Sequence, residues 1–174
     1  MAIVRTQVIQ AGIKWDHGII NSGGSVCKSR NGDYRFTRTP DYREIFALAN
    51  RADISNDVIH HLIEKGSDFA YLFEKELINA PKSLRAIPKG NINEVLHLSD
   101  IRVAWDDTYK LCNQLLKEGG TTSDVRSLIL QFAGKTDDFI SKSLSTITQQ
   151  EKLFGTLSKE QIGNITNEFK YLLK

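Results

Sequence analysis

The chain changes character at Thr39-Pro40, and that change constrains its fold more than any other feature. Residues 1–40 hold six basic side chains (Arg5, Lys14, Lys28, Arg30, Arg35 and Arg38) against two acidic ones, Asp16 and Asp33. Gly12, Gly18, Gly23 and Gly24 interrupt this stretch. Everything after Pro40 reads as well-capped helices, each with an apolar face and a stop. The expected organisation is a basic N-terminal arm over 1–40 and an α-helical domain over 41–174.

Within the arm, residues 3–10 are rich in β-branched side chains and could form a strand. Asn31-Gly32 is the pair favoured in a two-residue type I′ hairpin turn, because both central positions need positive φ. Val26, Tyr34 and Phe36 supply strand-compatible side chains around it. A lone hairpin is marginal in water. It must pack on the helices, pair with residues 3–10 or add to another chain.

The helical part begins with Thr39 as a cap and Pro40 at the first helical position. Tyr42, Ile45, Phe46 and Ala49 follow at helical spacing. A second helix is expected from Ser55, with Ile54 and Ile59 as a hydrophobic staple, Val58, Leu62 and Ile63 inward, and Gly66 as its stop. A third is expected from Ser67, with Phe69, Leu72, Phe73 and Leu77 inward, stopping at Pro81. The connector from Pro81 to Gly90 carries Lys82, Arg85 and Lys89 and no acid.

The longest predicted element runs from about Asn93 to Lys117. Leu98, Ile101, Trp105, Thr108, Cys112 and Leu115 alternate spacings of three and four, the seam of a helix buried along one side. Gly119-Gly120 ends it. A short helix from Ser123 should stop at Gly134, and another, capped by Thr136, should run to Gly155 with Phe139, Ile140, Leu144 and Ile147 inward. The last helix has the strongest local signal. Ser158-Lys-Glu-Gln161 is a capping box, Leu157 and Ile162 make the matching staple, and Ile165, Phe169 and Leu172 continue the apolar face. The fold class expected is therefore mainly α: a bundle-like domain of six to seven helices with a short N-terminal β-hairpin.

A chain of 174 residues, 40% hydrophobic and 25% charged, can bury an ordinary core. Its net charge of +2 is uninformative as a total. The arm alone carries +4, which leaves −2 for the remainder. Two distant cysteines, Cys27 and Cys112, make no disulfide framework and fit a reducing, cytoplasmic setting. Arg5, Lys14 and Asp16 interrupt any apolar signal-peptide core, and no run approaches the ~18 apolar residues of a membrane span.

No catalytic or cofactor motif of real specificity is present. A helix-turn-helix over Val58–Glu76 would turn Asp68, Glu74 and Glu76 towards DNA, where they repel phosphate, so an ordinary helical hairpin is expected there. Cys27, beside Lys28 and Arg30, is a conceivable nucleophile with His17 as base, which gives a small cysteine-dependent hydrolase or transferase as one alternative. His60 and Glu64 would share a helical face, but two ligands do not make a zinc site, so no metal is expected. Asp137-Asp138 fit the first turn of a helix. Dinucleotide and phosphate-loop fingerprints are absent from the sequence, and no cofactor is expected.

Function is therefore expected in the arm. Lys28, Arg30, Arg35 and Arg38 surround Tyr34 and Phe36, and aromatics interleaved with arginine can stack on bases and neutralise phosphates. Lys82, Arg85 and Lys89 would extend that patch if their connector folds nearby. The expected function is a non-enzymatic binding or assembly protein, nucleocapsid- or coat-like, that contacts single-stranded nucleic acid or an acidic partner. Homo-oligomerisation or a partner protein is expected, and a membrane is not. A helical protein–protein adaptor or inhibitor is the other alternative.

Overall fold

The computed structural model describes residues 41–174, apart from the side chains of 98 and 99, and the backbone of 26–28 and 34–36. Strands β1 (Val26–Lys28) and β2 (Tyr34–Phe36) pair antiparallel, with Val26 opposite Phe36, Cys27 opposite Arg35 and Lys28 opposite Tyr34. A two-residue turn at Asn31-Gly32 would set Lys28 opposite Arg35, so the ladder is one residue out of step with that expectation. The turn residues, residues 3–10 and the expected boundary at Pro40 lie outside the described residues.

From Asp41 onward the chain is mostly helical, with six α-helices among the described residues. It falls into two compact units. The first takes the described residues up to His61 together with Lys75–Ala86; the second takes Leu62–Glu74 and Ile87–Lys174.

In the first unit, α1 spans Tyr42–Asn50. Its cap is Asp41, whose carboxylate accepts the Glu44 N–H at 2.9 Å, so the helix starts two residues after Pro40, the expected first helical position; the expected cap Thr39 and Pro40 lie outside the described residues. The second expected helix is instead a strand, β3 (Asp57–His61), paired with β4 (Leu84–Pro88). Short apolar runs are ambiguous between helix and strand, and a partner 27 residues on decides for the strand. Phe46, Ala47, Ile54, Ile59 and Leu84 form the core, flanked by Tyr42 and Ala86. Arg43 ties the β3 entry to α1 through two bonds of 3.2 Å, to the carbonyls of Ile54 and Asp57. The third expected helix is likewise broken. It yields a 3₁₀ turn at Ala70–Leu72, which belongs to the second unit, and in the first a single turn, α2 (Lys75–Ile78), before Pro81 opens another 3₁₀ turn.

In the second unit the long seam helix is present and starts earlier than expected. It runs as α3 (Asn91–Val95), a π turn (Leu96–Asp100) and α4 (Ile101–Lys117). Ile101, Trp105, Thr108 and Cys112 are buried, as the seam requires. Gly119 has φ +90° and Gly120 donates back to Leu115 O at 2.8 Å, a Schellman stop. The two helices expected after it are one, α5 (Thr122–Phe154), 33 residues and roughly 50 Å long. Thr121 and Asp124 form its capping box. Gly134 is inside it rather than at its end, and Thr136 is no cap: its hydroxyl donates to Ala133 O at 2.8 Å. Asp137 and Asp138 are consequently mid-helix. Buried Phe132, Phe139 and Ile140 flank the glycine, and their packing outweighs the ~1 kcal/mol that an interior glycine costs. Ser158 caps α6 (Lys159–Asn167) with the expected box, above buried Leu157 and Ile162. A 3₁₀ turn, Lys170–Leu173, follows, and Lys135 donates to the Lys174 carbonyl at 2.8 Å.

Candidate functional site

Lys28, Tyr34, Arg35 and Phe36 stand on β1 and β2, with Lys28 opposite Tyr34 and Arg35 opposite Cys27. Arg30, Arg38 and His17 lie outside the described residues. Lys82 is exposed in the 3₁₀ turn at Pro81–Ser83, and Arg85 on β4 donates to the carbonyls of Lys82 and Leu84 at 3.1 and 2.7 Å. Those bonds fold Arg85 back along its own backbone. Lys89 is exposed just beyond β4.

The strand at 57–61 removes two expectations at once. A helix-turn-helix or helical hairpin at Val58–Glu76 needs a helix that is not there. His60 and Glu64 do not share a helical face either. Both histidines are buried; His61 Nε2 lies 3.0 Å from Asn79 Oδ1, and its ring meets Tyr42 edge-on at 4.6 Å. Among the described residues no group of three metal-ligating side chains forms.

The second unit contains a polar cleft of about 310 Å³ that spacing alone did not show. Glu64 is its centre. Arg102 Nη1 and Nη2 donate to the two carboxylate oxygens of Glu64 at 2.8 and 3.1 Å, and the Tyr109 hydroxyl donates to Oε1 at 2.7 Å. Nε and Nη2 of Arg102 also donate to Asp106 at 3.2 and 2.9 Å. Tyr109 stacks on Trp105 at 5.2 Å and sits 5.8 Å from Phe69. Burial first, and then the bond to Glu64, raises the Tyr109 pKa well above the usual phenol value. The hydroxyl is therefore a donor at neutral pH.

Chemically this cluster is closed. Its guanidinium is committed to two carboxylates, and its central carboxylate accepts three bonds. In its lining Glu64 and Asp68 outnumber Arg102, whose charge is already taken up by Glu64 and Asp106, so nothing there favours an anion such as phosphate. Of these contacts only Arg102 with Asp106 and Trp105 with Tyr109, both at (i, i+4), were legible locally; Glu64 is 38 residues from its arginine. Cys112 is fully buried, and burial raises its thiol pKa, which disfavours the nucleophilic thiolate.

A larger, open groove of about 550 Å³ lies between α4, α5 and the C-terminal turn. Ala104, Thr108 and Phe132 line it beside Leu128 and Leu173. Val103 and Leu111, on its α4 side, are 59% and 55% exposed. They lie off the buried seam of α4, and that was the available sequence signal: two large apolar residues with no place on the inward face.

No helix among the described residues is long and apolar enough to cross a membrane. No family model, curated protein or solved structure matches this chain.

Proposed function

We propose that this chain is a non-enzymatic binding and assembly protein that contacts single-stranded nucleic acid through its basic arm in the cytoplasm, as a nucleocapsid- or coat-like subunit does. Its parts are the arm over 1–40 and a bundle-like helical body over 41–174. The observation that carries this is the segregation of charge: six basic against two acidic residues in the first forty, with Tyr34 and Phe36 among them. Lys28, Arg30, Arg35 and Arg38 neutralise phosphates in this scheme while the aromatics stack on bases. Lys82, Arg85 and Lys89 form a second basic run. The polar cleft, with its acidic excess, is not the contact.

Titration of a labelled single-stranded oligonucleotide across a salt series tests this. Affinity should fall as salt rises, and replacing Arg30, Arg35 and Arg38 with Ala should flatten the logarithmic slope by about 2, at ~0.7 per phosphate contact. Absent or salt-insensitive binding overturns the proposal. Binding to an acidic peptide but not to the oligonucleotide moves the arm's partner to protein. A helical protein–protein adaptor without a nucleic-acid role is the second reading, and the exposure of Val103 and Leu111 in an open groove favours it.

A further inference from the structure

Among the described residues, the second unit carries two exposed apolar features of opposite shape. One is the concave groove beside Val103 and Leu111. The other is convex: Leu153 and Phe154, the last residues of α5, are each 76% exposed immediately before Gly155. Isolated exposed leucines are ordinary, but a Leu-Phe pair at a helix tip is a ready-made anchor of the kind that fills an apolar pocket.

Both features belong to one element. The α5 helix supplies Leu128, Gln131 and Lys135 to the groove and ends in the tip. From Lys135 to Leu153 the helix rises roughly 27 Å at ~1.5 Å per residue. A tip held that far along the same helix cannot fill its own groove, so any contact between the two joins different molecules.

The charges agree with such a contact. In the groove, Asp100 is paired with Lys170 at 3.1 Å and Lys135 is bonded to the Lys174 carbonyl. Asp107 stands between Val103 and Leu111 on α4; its side chain is 67% exposed, with Lys110 only at 3.9 Å. The tip brings Lys152, exposed and one residue before Leu153.

We propose that the Leu153-Phe154 tip of one copy docks in the α4–α5 groove of a second copy, with Lys152 facing Asp107. The contact is heterologous, head to tail: each copy uses its tip on one neighbour and its groove on the other. Such contacts build a ring if the rotation closes and a filament if it does not. The proposal rests on the assembly part of the function proposed above, and supplies its interface.

The test is sedimentation velocity of the full chain over a concentration series, without nucleic acid. Three samples are compared: the wild type, a tip variant (Leu153→Ser with Phe154→Ser) and a groove variant (Val103→Arg with Leu111→Arg). All four positions are more than half exposed, and circular dichroism checks that helicity is kept. The wild type should associate beyond a dimer, and each variant alone should stay monomeric. An equal mixture of the two variants should form a one-to-one dimer and nothing larger, because one intact tip then meets one intact groove. A wild type that is monomeric throughout overturns both this contact and the assembly proposal. Assembly that persists in both variants, or a variant mixture that stays monomeric, overturns the tip-in-groove contact alone.

Discussion

Arg102 grips Glu64 with two guanidinium nitrogens, at 2.8 and 3.1 Å, across 38 residues of sequence. The pair fixes the loop before Phe69 to the first turn of α4, and Tyr109 closes it from about two turns further on. It is a two-pronged ion pair between distant segments of the second unit, and several measurable consequences rest on it or on the helices around it.

Replacing Glu64 with Ala leaves the Tyr109 hydroxyl and half of the Arg102 donors without their acceptor. The expected loss is about 1–3 kcal/mol, towards the lower end because Arg102 is partly exposed and screened. Tyr109→Phe should cost about 1 kcal/mol. Both act on one carboxylate, so the double variant should lose less than the sum of the two. Urea midpoints for the four proteins measure this; strict additivity would mean that the hydroxyl does not depend on Glu64.

Tyr109 also makes an alkaline prediction. Its pKa is higher folded than unfolded, because burial and Glu64 disfavour the phenolate. The stability it contributes is then fully present below the unfolded phenol value of ~10 and declines as pH rises above it towards the folded value. Phenolate absorbance should show one tyrosine titrating last and only as the fold opens, and Tyr109→Phe should remove that late step.

Two glycines should respond to alanine in opposite directions. Gly134 is inside α5 with nothing within 4 Å of an added Cβ, so Gly134→Ala should stabilise by about 1 kcal/mol. At Gly120 a Cβ would meet Leu115 Cγ at 2.6 Å and the Leu115 carbonyl at 2.8 Å. Gly120→Ala should therefore lower the thermal midpoint by disrupting the Schellman stop. A destabilised Gly134→Ala variant would argue for a helix break there.

Cys112 should resist a thiol-alkylating reagent near neutral pH, since burial both hides it and raises its pKa. Its reaction rate should rise sharply in denaturant, which makes it a reporter of α4 opening. Alkylation in native buffer at the rate of a free thiol would mean that the seam of α4 is loosely packed.

What the amino-acid sequence determined by itself was whatever is decided within about one helical turn. Ser158 and Gln161, Gly119 and Gly120, and the seam of Ile101, Trp105, Thr108 and Cys112 all act on neighbours three to five residues away, and all are where their spacing put them. Tertiary structure decided the rest. Residues 57–61 have a staple and an apolar face suited to a helix, yet they are a strand because β4 offers its edge and Leu84 fills the same core. Gly134 and Thr136 carry the local marks of a stop and a new start. The buried side chains on both sides of them make one helix cheaper than two, since a break would expose four orphan backbone groups at each new end. The Glu64–Arg102–Tyr109 cluster and the groove beside Val103 and Leu111 exist only once distant segments meet. No periodicity records which remote partner a side chain will find.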